Sequence, residues 1–190
     1  MKQQIQMNGH PIDVLAVPYY TQGDTEYLCV IYSLMMVLEY ITCHKQSSLN
    51  IATPVPSKDD LIASTRTDPN TGTDLSEDVI RILNRKYPAY TFTLGESTFE
   101  EVHKVLDDGY PAIVIYNPAI LFIKQKGPAH AGVAIGMTDG GLILKNPWYG
   151  EFFYVDKISF TRAWDVEYNW AIFVRPNLQA RLLADGDKAD

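Results

Sequence analysis

The sequence predicts a single α+β domain in which a central buried helix packs on an antiparallel β-sheet. Three observations favour this class. A nearly uniform apolar run lies early in the chain, amphipathic helical segments follow it, and short strand-like segments fill the C-terminal half. Helices that precede strands in this way are typical of α+β proteins. We expect residues 1–176 to form one domain and residues 177–190 to be a loosely held tail.

Length and charge limit the possible partners. The chain has 190 residues, with 16 basic and 23 acidic side chains, a net charge of −7. This acidic balance argues against nucleic acid or an anionic membrane surface as the main partner. The first residues, MKQQIQMNGHPIDV, lack the apolar core of a signal peptide. We therefore expect a cytoplasmic protein, and the oligomeric state stays open.

The stretch Val17–Thr42 organises the predicted fold. Its second half is apolar on nearly every face, which is typical of a helix buried inside a domain. The apolar run Cys29–Leu38 is well short of the roughly 18–20 residues of a membrane span. Asp24 and Thr25 are suitable N-caps. We therefore expect Cys29 near the helix N-terminus, where the macrodipole and free backbone N–H groups favour a thiolate.

The two cysteines, Cys29 and Cys43, are not expected to pair. On one helix their separation along the chain corresponds to about 21 Å, whereas a disulfide requires Cα atoms within roughly 7 Å. Free thiols fit a reducing compartment. His44 follows Cys43 directly, but the chain has no close Cys or His pattern of the zinc-binding type. The sequence implies no metal site.

Three further helices are predicted from caps and apolar spacing. Ser57 caps a short helix through Ala63. Capping boxes open the two longer helices: Asp74 with Glu77 for a helix to Lys86, and Ser97 with Glu100 for a helix that Gly109 ends. Thr65–Thr73 consists of turn-forming residues and predicts a surface turn.

The strands are predicted from short apolar or alternating runs bounded by turns. They are Ile12–Val17, Tyr90–Leu94, Ala112–Tyr116, Ala131–Gly136, Leu142–Lys145, Phe152–Val155 and Trp170–Val174. Asn117–Ala129 is predicted to be a long loop, and Met137–Gly141 a hairpin turn.

Two residues of the predicted hairpin are candidates to assist a thiol. A thiolate nucleophile needs a base and a group that orients it. His130 begins one strand and Asn146 ends the next. If Met137–Gly141 is the turn, Asn146 faces Gly132, and His130 is a same-face diagonal neighbour roughly 7–8 Å away. A register slip of one residue would put the two side chains on opposite faces.

Three runs of the chain, VPYYTQ…C…MVLEY, DGYPAIVIYN and HAGVAIG…NPW, resemble the papain-like cysteine peptidases. The resemblance is strongest to the double-glycine (bacteriocin-processing) peptidase branch and covers Val17–Val174. It implies a papain-like fold and a peptide or protein substrate, without a cofactor. It also implies that Cys29 is the nucleophile, His130 the general base and acid, and Asn146 the residue that orients the imidazole.

The resemblance assigns two supporting residues. The side-chain amide of Gln22 would bind the oxyanion together with the backbone N–H of Cys29. Trp148 would shield the bond between the histidine and the asparagine from water. The sequence departs from the family pattern in two places. One extra residue lies between Gln22 and Cys29, and Val30 stands in the substrate cleft where glycine is usual.

Three functional hypotheses follow from these residues. The first is a hydrolase that cleaves a peptide or isopeptide bond through an acyl-thioester on Cys29. The second is a degenerate relative that binds a peptide without turnover, which Val30 and the extra residue favour. The third is an acyltransferase that uses the same triad. Each residue also has a structural interpretation: Cys29 as buried filler, His130 as a strand-end histidine, Gln22 as a loop residue and Trp148 as a core aromatic.

Overall fold

The computed structural model describes residues 1–7, 9–46, 54–122 and 129–177. The strands are β1 (Lys2–Met7), β2 (His10–Leu15), β3 (Tyr90–Glu96), β4 (Ala112–Tyr116), β5 (His130–Thr138), β6 (Gly141–Asn146), β7 (Gly150–Asp156) and β8 (Trp170–Pro176). The helices are α1 (Cys29–Ile41), α2 (Lys58–Ser64), α3 (Glu77–Lys86), α4 (Phe99–Asp107), α5 (Pro118–Leu121) and α6 (Lys157–Asp165). The predicted tail lies outside the described residues from position 178 onward.

A six-stranded antiparallel sheet forms the larger layer, with the strand order β3-β8-β4-β5-β6-β7. The helix α1 packs against β4 and β5 at the middle of this sheet. Ile31, Met36 and Leu38 of this helix have no solvent-exposed surface. The predicted α+β class, with a buried central helix on an antiparallel sheet, is confirmed. None of the described helices is long and apolar enough to cross a bilayer.

The N-terminal residues form a hairpin, where the sequence predicts one strand, Ile12–Val17. The strand β1 pairs antiparallel with β2 over its whole length, and Ile5 lies opposite Ile12. The sequence KQQIQM of β1 is mostly polar. The alternating burial of β1 therefore results from its pairing with β2. The sequence of β1 contains no apolar run from which a strand could be predicted.

The helix α1 begins later than predicted, at Cys29 itself. Asp24 and Thr25 do not cap it, because the chain from Gln22 makes two successive turns before the helix: Thr25 N donates to Gln22 O and Leu28 N donates to Thr25 O. Leu28 is the N-cap and makes no side-chain capping bond. The first backbone N–H groups of the helix are thus left without a side-chain acceptor beside the Cys29 sulfur.

The predicted capping boxes also lie one or two residues from the observed caps. Ser76 caps α3, and Thr98 with Glu101 forms the box of α4. Ser57 caps α2 as predicted. Within the predicted loop from Asn117 to Ala129, residues Pro118–Leu121 form the short helix α5, capped by Asn117. Residues 123–128 of that loop lie outside the described residues.

A register shift in the β5–β6 hairpin decides which residues share a face. Next to the turn Gly136 pairs with Ile143, one residue away from the predicted partner Leu142. The register then shifts between Ala134 and Gly136, and Val133 pairs with Lys145. This second register is the predicted one, in which Asn146 would lie opposite Gly132. The bulge therefore cancels the slip before the strand reaches His130.

Candidate active site

Cys29 is the first residue of α1, and its side chain is nearly buried, with 8% exposed. Burial raises the pKa of the thiol. The backbone N–H groups of Ala131, of Val30 and of Cys29 itself act in the opposite direction, because they stabilise negative charge on the sulfur. Considered without His130, the Cys29 side chain is a protonated thiol. The three backbone N–H groups would stabilise the thiolate if it formed.

His130 and Asn146 are in contact. Nε2 of His130 lies 2.9 Å from Oδ1 of Asn146, between two buried side chains. The backbone N–H groups of Trp148 and Tyr149 donate to the same Oδ1, at 2.9 and 3.1 Å. A backbone N–H can only donate, so the atom they share must be the oxygen of the carboxamide. Nε2 of His130 therefore carries the proton, and Nδ1 keeps its lone pair.

Burial sets the charge of His130. Desolvation lowers the pKa of the imidazole to about 4, and the hydrogen bond to Asn146 opposes that shift. At neutral pH the ring is therefore neutral and its Nδ1 can accept a proton. Together, Cys29 and His130 rest as a thiol and a free base, and not as the thiolate that the helix N-terminus alone predicts.

One cleft, with a volume of about 270 Å³, contains both Cys29 and His130 on its walls. Val30, Ala131 and Trp148 also line it. Its other lining residues are Glu26, Tyr27, Pro69, Asn70, Thr71, Gly72, Thr73, Leu75, Ile115, Pro118 and Ala129. Most of these lining residues are apolar or uncharged, and Glu26 contributes the carboxylate among them.

The turn predicted at Thr65–Thr73 forms part of this cleft. Asp68 and Gly72 exchange two backbone hydrogen bonds, at 2.9 and 2.8 Å, and Asn70 N donates to the Asp68 carboxylate. The sequence signals a turn at this place, but turn chemistry carries no information about which distant residues the turn will face.

Gln22 is buried and does not point freely into solvent as a loop residue would, since only 3% of it is exposed. Its Nε2 donates to the carbonyl of Thr25 at 3.0 Å, and its backbone N–H donates to Pro147 O. Its Oε1 is buried without a hydrogen-bond partner among the described residues.

Trp148 lies beside the imidazole of His130. The ring centroids of Trp148 and His130 are 6.0 Å apart, and 38% of the tryptophan is exposed. Trp148 also stacks on Tyr149, whose ring lies 5.9 Å from that of His130. Beside these rings, His130 and Asn146 are both buried, with 3% and 0% of their surface exposed. A core position for Trp148 is excluded by its exposure.

Tyr116 completes the cluster and is absent from the candidates that the sequence suggests. It has no solvent-exposed surface, and its hydroxyl lies 2.6 Å from Nδ2 of Asn146. In the sequence it is one residue of the apolar run AIVIY. Only the pairing of β4 with β5, in which Tyr116 lies opposite His130, brings it to the site.

Comparisons with known proteins identify the family and the fold of the chain. Residues 14–172 match the Peptidase_C39 like family. The fold is that of the papain-like cysteine peptidases, and the chain belongs to the C39-like family within it. The resemblance read from the sequence is therefore confirmed. No match was found among curated proteins.

Three of the solved structures that match the chain illustrate the shared fold. A protein from Bacillus anthracis described as a C39-like peptidase is 18% identical, with a TM-score of 0.60, and the match covers 85% of this chain and 96% of that one. A double glycine motif protease from an AMS/PCAT transporter, in complex with the leader peptide, is 17% identical, with a TM-score of 0.53, over 92% and 99%. A structure from work on the mite allergens Blo t 1 and Der p 1 is 16% identical, with a TM-score of 0.55, over 84% and 67%.

Proposed function

We propose that the protein is a papain-like hydrolase that cleaves a peptide or isopeptide bond through an acyl-thioester on Cys29. One observation carries this proposal. The 2.9 Å bond from His130 to Asn146 leaves an unprotonated Nδ1 on an imidazole that lines the same cleft as the Cys29 sulfur. A thiol, a neutral base and a group that fixes the tautomer of the base are the parts that nucleophilic catalysis by cysteine requires.

In the proposed reaction Nδ1 of His130 accepts the thiol proton while the sulfur attacks the carbonyl carbon. The carbon–nitrogen bond then breaks, and the imidazolium gives its proton to the leaving amine. Water attacks the thioester with Nδ1 as the base, and the thiol returns when the acid leaves. Asn146 stays bonded to Nε2 throughout, so the ring keeps its orientation.

The oxyanion would be held by the backbone N–H of Cys29 and by Gln22. An amide Nε2 has two hydrogens, and one of those of Gln22 is committed to Thr25 O. Gln22 would therefore donate the second hydrogen of its Nε2 to the oxyanion. Loss of one oxyanion donor lowers rates by about 10²–10³, so a Gln22 that is drawn toward Thr25 would give a slow enzyme.

The proposed substrate is a peptide or protein segment. The cleft is largely apolar, and the related protease of the transporter was solved in complex with its leader peptide. Val30 would narrow the cleft where it passes α1. A cytoplasmic location also belongs to the proposal, because neither Cys29 nor Cys43 is in a disulfide.

Alkylation of Cys29 tests the proposal. The protein is treated with limiting iodoacetamide at pH 6, and the labelled cysteine is identified by peptide mass. Cys43 is exposed and serves as the internal reference. We expect Cys29 to react at least about 10-fold faster than Cys43, although Cys29 is more buried, because His130 removes its proton.

The His130→Ala variant is the control for this measurement. It should lower the rate at Cys29 to that of Cys43 or below and leave Cys43 unchanged. Slow labelling of Cys29 that is insensitive to His130→Ala would contradict the hydrolase.

A second candidate function, a peptide-binding module without turnover, is favoured by Gln22. The bond from its Nε2 to Thr25 O and the burial of the Cys29 thiol both oppose efficient catalysis. Such a module would bind a peptide in the same cleft while Cys29 labels slowly. The labelling experiment therefore separates the two functions.

A further inference from the structure

We infer that Tyr116 is a positioning residue of this site: its hydroxyl holds the carboxamide of Asn146, and through it the imidazole of His130, in the orientation that the reaction needs. The inference rests on the proposed function and adds a member to its machinery. Tyr116 lies at the end of β4, directly opposite His130 on β5. It would act without touching the substrate.

The direction of the hydrogen bond is fixed by the other partners of Asn146. Two backbone N–H groups identify Oδ1 of Asn146, so the atom 2.6 Å from the Tyr116 hydroxyl is the amide nitrogen, and it donates. The hydroxyl of Tyr116 accepts. Burial raises the pKa of Tyr116 well above its ordinary value, and a thiolate on Cys29 would act in the same direction, so the group stays neutral.

The same side chain also contacts the imidazole. The rings of Tyr116 and His130 pack edge to face, with centroids 5.6 Å apart and an interplanar angle of 81°. Tyr116 therefore contacts both members of the pair, His130 with its ring and Asn146 with its hydroxyl. Without the hydroxyl, the buried Nδ2 of Asn146 would lose its acceptor. Turning the carboxamide over would place its amino group against two N–H donors, so a flip cannot repair the loss.

The surrounding residues leave a defined space for this tyrosine. A Cβ at Gly132 would lie 3.4 Å from Cε1 and 3.6 Å from the hydroxyl of Tyr116. Phe160 packs against the ring from α6, with centroids 5.7 Å apart. The ring is thus held on several sides, and the hydroxyl is placed with little freedom to move.

Tyr116→Phe removes the acceptor with little change in volume. We expect iodoacetamide to label Cys29 about 10-fold more slowly than in the wild type at pH 6, since a base displaced by part of an ångström loses efficiency. Tyr90→Phe is the matched control. Tyr90 is also buried, and its hydroxyl bonds to Thr42 Oγ1 at 2.7 Å, away from the cleft. We expect Tyr90→Phe to label Cys29 at a rate within about 2-fold of the wild type.

A double-mutant cycle distinguishes positioning from a purely structural role. If Tyr116 acts through Asn146, Tyr116→Phe should slow labelling in the wild type and have no further effect in an Asn146→Ala background. Equal slowing in both backgrounds, or slowing no larger than that of Tyr90→Phe, would overturn the inference.

The labelling rates of Cys29 distinguish an error in the role of Tyr116 from an error in the proposed function. If Cys29 of the wild type labels no faster than Cys43, the hydrolase is wrong, and the inference falls with it. If Cys29 is labelled rapidly in both the wild type and Tyr116→Phe, only the inference is wrong.

Should Tyr116→Phe not fold, site-specific replacement of Tyr116 by 3-fluorotyrosine weakens the acceptor at nearly constant volume. We then expect the rate of Cys29 labelling to fall by less than the roughly 10-fold expected for Tyr116→Phe. An unchanged labelling rate would overturn the inference.

Discussion

His130 and Cys29 are almost fully buried, with 3% and 8% of their surface exposed, and the proposed reaction places charge on both. Each neutral form is favoured by desolvation, which lowers the pKa of the imidazole and raises that of the thiol. The ion pair would therefore form chiefly when the substrate is attacked. The backbone donors around the sulfur and the carboxamide of Asn146 are already in place to receive that charge.

The depressed pKa of His130 predicts how stability depends on pH. The folded value is about 4, whereas an unfolded histidine titrates near 6.5. Between these values the unfolded chain binds the proton and the folded chain does not, so stability is full above pH 6.5 and falls as the pH decreases toward 4. The loss amounts to about 3 kcal/mol at most. Urea unfolding at several pH values measures it.

A His130→Gln variant supplies the control, because it removes the titrating ring and keeps a polar side chain. Its free energy of unfolding should depend less on pH between 4 and 6.5 than that of the wild type. The same pH dependence in both proteins would show that other groups cause it.

At the scale of the elements, the β5–β6–β7 meander places the site. His130 begins β5, Asn146 ends β6, and the turn to β7 supplies the two N–H groups that bind Oδ1 of Asn146. The bulge between Ala134 and Gly136 restores the register that sets the histidine and the asparagine on one face. Close packing of β6 on β7 is therefore a condition for the site.

Gly141 at the start of β6 permits this packing. A Cβ there would lie 2.1 Å from the carbonyl oxygen of Val155, which is backbone and cannot turn away. We expect Gly141→Ala to lower the free energy of unfolding by about 1–3 kcal/mol. Gly95→Ala in β3 is the matched control, because nothing lies within 4 Å of its added Cβ. Thermal or urea unfolding of both variants measures the difference. Equal stabilities would contradict the account of β6–β7 packing.

The elements also mark the limits of prediction from sequence. The central helix, the strand AIVIY and the cap at Ser57 are local signals, and the sequence predicts them well. The strand β1 is polar, so it cannot be predicted from its own sequence and is defined only by its pairing with β2. The bulge in β5 depends on non-local contacts, such as Gly136 with Val14, where an added Cβ would lie 2.8 Å from Cγ1. Tyr116 at the site depends likewise on strand pairing, which spacing along the chain does not specify.

At the scale of the whole molecule, α1 and the sheet bring distant residues to one cleft. Cys29 comes from the helix, His130 from the sheet, and residues 69–73 from the segment between α2 and α3. Membership of the C39-like family and the papain-like fold follow from the comparisons with known proteins. In the proposed reaction, this cleft is where Cys29 accepts an acyl group with the assistance of His130.

The most direct test of that claim is to find the acyl-enzyme. The protein carrying Cys43→Ser is mixed rapidly with a p-nitrophenyl ester of a short peptide, quenched in acid and analysed by mass. We expect a burst of nitrophenol that approaches one equivalent, the acyl mass on the peptide that contains Cys29, and the loss of both in His130→Ala. Release of nitrophenol with no acyl group on Cys29, or equally well after Cys29→Ala, would show that Cys29 is not the nucleophile.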